Sequence, residues 1–85
     1  MKKLVIIPAY NESGSILQAV KDIREHAPGF DYLVINDCST DDTLDICRRE
    51  GLNYVNLSVN LGIGGAVQSG YLYACRNGYD VAVQF

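Results

Sequence analysis

With 85 residues and a formal charge of −3, the chain has room for one small domain. Hydrophobic residues make up 48% and charged residues 20%, an ordinary globular balance that excludes disorder, a collagen-like repeat and a coiled coil. The seven Lys and Arg are scattered, so the basic surface that displaces phosphate counterions is missing and no nucleic acid is expected as a partner.

Lys2-Lys3 and the aliphatic run Leu4-Val5-Ile6-Ile7 open the chain like a signal peptide, but Pro8 stops the run and polar Asn11-Glu12 follow. A secretory core needs about 7–15 apolar residues. The run instead suits a strand buried on both faces, closed by Pro8. Ile16, Val20 and Ile23 then recur at helical spacing, and Pro28-Gly29 ends that helix. Tyr32-Leu33-Val34-Ile35 reads as a second buried strand. It runs into Asn36-Asp37-Cys38-Ser39-Thr40-Asp41-Asp42, where Ser39 and Asp42 suit the start of a helix. Leu44 and Cys47 mark the expected inner face of that helix, and Gly51 its end.

Tyr54-Val55-Asn56-Leu57 reads as a third, shorter strand. Asn60-Leu61-Gly62-Ile63-Gly64-Gly65 follows as a glycine-rich turn. Val67, Tyr71 and Ala74 have helical spacing, Asn77-Gly78 closes that helix, and Val81-Ala82-Val83 begins a fourth strand. The order β-α-β-α-β-α-β with short connections predicts an α/β fold, a three-layer, Rossmann-like parallel sheet with helices on both faces. A single domain over residues 1–85 is expected, and it reads as an incomplete part of a longer protein because it stops inside a strand. The fourth strand would be an exposed edge on which copies of the chain could associate as a homo-oligomer.

Cys38, Cys47 and Cys75 form no CxxC pair and have no nearby His, which argues against a disulfide framework and a zinc site. A reducing, cytoplasmic setting fits. Cys47 and Cys75 are expected in helix cores, and Cys38 in a loop.

In open α/β sheets the ligand lies beyond the carboxyl ends of the strands. Those ends carry Pro8, Ala9, Tyr10, Asn11 and Glu12, then Asn36 and Asp37, then Asn60 and the glycines. An aromatic ring, carboxylates, amides and glycine backbone suit a nucleoside diphosphate. An ionised Asp accepts from the N3–H of uracil or the N1–H of guanine. A second carboxylate accepts from ribose hydroxyls. Glycines let backbone approach phosphate near a helix N-terminus.

Three segments then resemble one family, the inverting family 2 glycosyltransferases of GT-A fold. Pro8-Ala9-Tyr10-Asn11-Glu12 is similar to its P-x-Y-N-E opening, and Asn36 to Thr43 to its D-D-G-S-T-D-x-T segment. Asn60 to Ala66, with Gly70 beyond, is similar to its N-x-G-x-x-x-A-x-x-x-G segment. The resemblance implies a transferase that moves a sugar from a UDP- or GDP-sugar donor to an acceptor, with this chain as the front part of the nucleotide-sugar-binding domain. It implies that Pro8, Ala9 and Tyr10 line the base pocket, that Glu12 faces the ribose and that Asp37 binds the base edge. Asn60 and the turn Gly62, Gly64, Gly65 would lie near the donor.

Asn36 stands where the family has Asp, which should leave the pocket formed but less acidic. Cys38 replaces a common Gly or Asn, and Ile63 replaces a common Lys or Arg near the diphosphate. The family's D-x-D motif, which holds a divalent cation (Mg or Mn), would begin where this chain stops at Gln84-Phe85, and the catalytic base would lie further on. No catalytic residue and no metal ligand is therefore expected within the chain, and the 85 residues alone are expected to catalyse nothing. Membrane association of the longer parent, at the cytoplasmic face, is compatible with the resemblance.

Other readings compete. Asp41, Asp42 and Asp45 look like a metal cluster, but carboxylates at a helix N-terminus explain them better. His26 reads as an exposed residue near a helix end. A non-catalytic or NAD-type nucleotide-binding α/β module is the alternative function. Against the NAD-type reading, the glycines lack the G-x-G-x-x-G spacing and follow the third strand instead of the first. A phospho-receiver module would need an acidic pair after the first strand and a late Lys, and no Lys follows Lys21.

Overall fold

A computed structural model describes all residues, 1–85. The elements are β1 (Lys3–Ala9), α1 (Ile16–His26), β2 (Asp31–Asn36), α2 (Thr43–Arg49), β3 (Tyr54–Asn56), α3 (Gly62–Arg76) and β4 (Val81–Gln84). All strand pairs are parallel, in the order β3-β2-β1-β4. The α/β sheet expected from the alternation of elements is therefore present, with both edges formed by short strands.

Alternation along the two inner strands divides the core. Val5, Ile7, Ala9, Tyr32 and Val34 pack with Ile16, Val20 and Ile23 of α1 and with Ile46 and Cys47 of α2. Leu4, Ile6, Leu33 and Ile35 point the other way, onto Ala66 and Ala74 of α3. The continuous aliphatic runs of β1 and β2 are thus explained by helices on both faces.

β1 does not close at Pro8; it continues to Ala9, with Pro8 opposite Ile35. The Ile6 carbonyl accepts from Phe85 N–H on the β4 side, and the Ala9 carbonyl accepts from Asp37 N–H on the β2 side. Strand alternation therefore turns the position of the absent Pro8 N–H toward the β4 side, at an edge of the sheet as far as these strands extend, where a proline is tolerated.

The glycine-rich segment is not a separate turn: α3 starts at Gly62, and the glycines form its first turn. The buried stripe of α3 is Ala66, Gly70 and Ala74; Val67 is half-buried and Tyr71 exposed. Small residues bring this helix close to the sheet, and spacing by bulky residues missed that. In α2 the buried face is Thr43, Ile46 and Cys47, with Leu44 only half-buried. Cys75, expected in a core, is exposed beside Ala74 on the outer face of α3. No helix is long and apolar enough to cross a membrane.

Candidate functional site

The strand register sets three chain ends level. Ala9 pairs with Asn36, and Asn36 pairs with Asn56. The residues that follow, Tyr10, Asp37 and Leu57, therefore leave the sheet side by side. Backbone bonds extend the alignment by one step: Asp37 N–H donates to the Ala9 carbonyl (2.8 Å) and Leu57 N–H to the Asn36 carbonyl (2.9 Å). Beyond them opens a cleft of about 410 Å³ lined by Pro8, Ala9, Tyr10, Glu12, Asp37, Asn60, Gly62, Ile63 and Ala66.

Seven of the nine residues expected at a nucleotide site thus share one cavity. The other two, Gly64 and Gly65, lie in the first turn of α3 but do not line it. Gly64 is exposed, with open space where a Cβ would stand. Gly65 faces its own N-terminal neighbour, since a Cβ there would stand 2.5 Å from Leu61 Cβ. Gly62 adopts φ +77°, a left-handed conformation that favours glycine, and its N–H donates to Asn60 Oδ1 (3.1 Å).

Asp37 is 3% exposed. Its Oδ1 accepts from Leu61 N–H at 2.7 Å, and its carbonyl accepts from Asn60 Nδ2 at 3.3 Å. No protein donor reaches Oδ2. Every buried side-chain oxygen and nitrogen has a partner, so Oδ2 must touch solvent, and Asp37 lines the cleft. Tyr10 stands at the opposite extreme, 46% exposed, with its ring open to a planar ligand. Glu12 Oε2 accepts from Ser15 Oγ (2.9 Å), while the Glu12 carbonyl accepts from the N–H groups of Ser15 and Ile16 at the start of α1. Glu12 therefore both starts the helix and lines the cleft.

A set of bonds between loops holds this arrangement, and the sequence patterns did not reveal it. Asn11, at φ +53°, accepts at Oδ1 from Thr40 N–H (2.8 Å) and Asp41 N–H (3.3 Å), and its own N–H donates to Ser39 Oγ (3.0 Å). Glu12 N–H donates to Thr43 Oγ1, and Ser13 N–H to Asp41 Oδ2. The two segments between β1 and α1 and between β2 and α2 are thus one joined unit. A left-handed Asn between a strand and a helix start is the signal that could have pointed to it.

Two expectations need correction here. Asn36 does not face the cleft: it is 1% exposed, its Nδ2 donates to Asn56 Oδ1 (2.8 Å), and its Oδ1 accepts from Ser39 Oγ. The strand directs it sideways between β2 and β3, so its neutrality leaves the cleft's charge untouched. Ser39 does not cap α2, because its hydroxyl is engaged with Asn36 and Asn11. Asp41 serves the helix start instead, accepting from Thr43 N–H (2.9 Å) and from the Thr43 hydroxyl. The hydroxyl bond from Thr43, with amide bonds from Thr43 and Ser13, outweighs partial desolvation and holds the Asp41 carboxyl down at about 2. Asp41 is thus a structural carboxylate, which agrees with the helix-start reading of that acidic run.

The charged residues lining the cleft are Glu12 and Asp37, and no Lys or Arg joins them. Ile63, at the position where the family commonly has Lys or Arg, lines the cleft and is 69% exposed. The glycines open α3, after β3, which does not fit a dinucleotide fingerprint at the first strand.

Comparison with known proteins gives a consistent result. The model of the family described as Glycosyl transferase family 2 matches residues 4–77. The undecaprenyl-phosphate mannosyltransferase of Micrococcus luteus is 33% identical over 99% of this chain and 37% of its own length. The dolichyl-phosphate beta-glucosyltransferase of Saccharomyces cerevisiae is 36% identical over 81% of this chain and 25% of its own length. Among solved structures, the mannosyltransferase PcManGT from Pyrobaculum calidifontis, in complex with GDP-Man and Mn2+, superposes with a TM-score of 0.76 at 25% identity, over 86% of this chain and 24% of that one. The chain therefore spans roughly a quarter to a third of the length of the proteins it matches.

Proposed function

The chain belongs to glycosyl transferase family 2, and from that premise we propose that it carries the nucleotide end of the donor site of an enzyme that transfers a sugar from a UDP- or GDP-sugar to an acceptor. The observation that carries the proposal is the common cleft of Tyr10, Glu12, Asp37 and Asn60 beyond the level ends of β1, β2 and β3. Pro8, Ala9 and Tyr10 offer a flat apolar surface to the base. Asp37 Oδ2 accepts from the base edge. Glu12 accepts from ribose hydroxyls, and the Asn60–Gly62 backbone at the start of α3 lies toward the phosphates, with Gly64 and Gly65 behind it. A positive helix terminus favours those phosphates.

The cleft's own charges do not. Its two carboxylates repel a diphosphate, and no basic residue lines it, which supports a divalent cation, Mg or Mn, in the whole enzyme. Bound there, such an ion would neutralise the diphosphate as it leaves. The cleft offers only two carboxylates for it, each with one oxygen already engaged, Asp37 Oδ1 by Leu61 and Glu12 Oε2 by Ser15, and neither belongs to a cluster of three potential ligands. The metal-capable group Asp22, Glu25 and His26 lies on the last turns of α1, toward the other edge of the sheet. We assign no ligand and no catalytic base to these residues.

The names of the relatives support extending the proposal to a polyprenyl phosphate acceptor, and we propose that the whole protein meets it at the cytoplasmic face of a membrane. Calorimetric titration of the chain with UDP and GDP, with and without Mn2+, tests the donor site. Binding of either nucleotide, weakened by roughly 10- to 100-fold in Asp37→Ala, is expected when a buried acceptor is lost. Equal binding by the wild type and Asp37→Ala would refute the assignment.

A further inference from the structure

We propose that the Leu61 amide fixes the hydrogen-bonding polarity of the Asp37 side chain, so that the cleft selects bases bearing an N–H on their pairing edge. The inference rests on the nucleotide reading of the cleft and adds to it what sets the choice of base.

Asp37 has little freedom. Its backbone is held from both sides, by the Ala9 carbonyl and by Asn60 Nδ2. Its side chain is buried, and Oδ1 receives Leu61 N–H at 2.7 Å, where α3 begins. Leu61 can only donate there. Whatever side chain stands at position 37 must therefore turn an acceptor toward Leu61 and its second polar atom toward the cleft.

For a carboxylate that second atom is another acceptor. It pairs with the N3–H of uracil or the N1–H of guanine and meets a lone pair on cytosine N3 or adenine N1. An amide in the same place behaves oppositely. Its single oxygen is taken by Leu61, which leaves Nδ2, a donor, facing the base. The ordinary ability of an Asn to flip is removed, because the flipped amide would set N–H against N–H in a buried contact.

Asp37→Asn should then invert base preference instead of merely weakening binding. The test is titration of the wild type and of Asp37→Asn with UDP, GDP, CDP and ADP, together with amide hydrogen exchange at Leu61. The wild type should favour UDP or GDP, and the variant should shift the preference toward CDP or ADP by roughly 10- to 100-fold, with an absolute gain for at least one of them. Leu61 N–H should stay protected in Asp37→Asn and lose protection in Asp37→Ala.

A variant that loses all four nucleotides equally while Leu61 stays protected would overturn the polarity lock and leave the nucleotide cleft standing. A wild type that binds none of the four would remove the cleft reading and the lock with it. A folded wild type whose Leu61 amide exchanges as fast as an exposed loop amide would overturn the lock without any variant.

Discussion

Gly70 of α3 rests directly on Ile6 of β1: a Cβ at position 70 would overlap Ile6 Cγ2 and stand 2.9 Å from Cγ1. Ile6 is fully buried in a strand paired on both sides, so it cannot yield. This contact sets how close α3 lies to the sheet, and with it the height at which Leu61 and Gly62 enter the cleft.

Gly70→Ala sets two effects against each other. Alanine favours a helix interior by about 1 kcal/mol over glycine. Overpacking against a rigid neighbour costs about 1–3 kcal/mol. The clash should win, and urea unfolding should show a net loss of roughly 1–2 kcal/mol, within the overpacking range. Pairing it with Ile6→Ala should give a double-mutant loss clearly smaller than the sum of the singles, because the new methyl fills part of the cavity. Strict additivity would show that the two residues do not press on one another.

The acid limb of stability should carry the signature of Asp41. Its carboxyl is held at about 2, below the usual 3.8, chiefly by the Thr43 hydroxyl. In that interval the unfolded chain binds a proton that the folded chain refuses. The contribution is thus complete above about pH 4 and lost as pH falls toward about 2. Asp41→Asn should be less stable than wild type at neutral pH, and the two should converge as pH falls through that window. A gap independent of pH would refute the assignment.

Gly64 separates folding from binding. Its φ is not left-handed, and a methyl group there meets nothing within 4 Å. Gly64→Ala should leave stability unchanged or raise it by up to about 1 kcal/mol. If the donor approaches that backbone, UDP or GDP affinity should fall in the same variant. Gly62→Ala, forced into φ +77°, should lose about 1–2 kcal/mol of stability.

Asn11 tests the joined loops. Asn11→Ala removes the acceptor for Thr40 and Asp41 N–H and leaves a Cβ at φ +53°. A loss of about 1–2 kcal/mol is expected from an unmade bond and a strained residue. Asn11→Gly relieves the strain but not the bonds, so it should fall between Ala and wild type. Nucleotide affinity should decline in the same order, since Tyr10 and Glu12 flank the lost contact.

Much of this was legible in the chain. The aliphatic runs at Leu4–Ile7 and Tyr32–Ile35, the period of Ile16, Val20 and Ile23, and the stops at Gly51 and Gly78 are local patterns, and local patterns decide local structure. The motifs at Pro8–Glu12, Asp37 and Asn60–Gly62 identified seven of the residues that line the cleft. The misses share a cause. Along the chain Pro8 looks like a terminator, because the side to which its missing N–H points depends on a neighbouring strand. Bulky residues suggest one inner stripe for α3, whereas close approach selects Ala66, Gly70 and Ala74.

By itself the sequence determined which segments become strands and helices, their order, and which polar residues end up at strand tips, because each follows from periodicity and turn chemistry within a few residues. Only the tertiary structure decided that Asn36 turns inward to Asn56, that Asn11 reaches Ser39, Thr40 and Asp41, and that Leu61 claims one oxygen of Asp37. Those bonds join residues 20 to 30 positions apart, and their geometry is set by strand register and helix height, which no local pattern encodes.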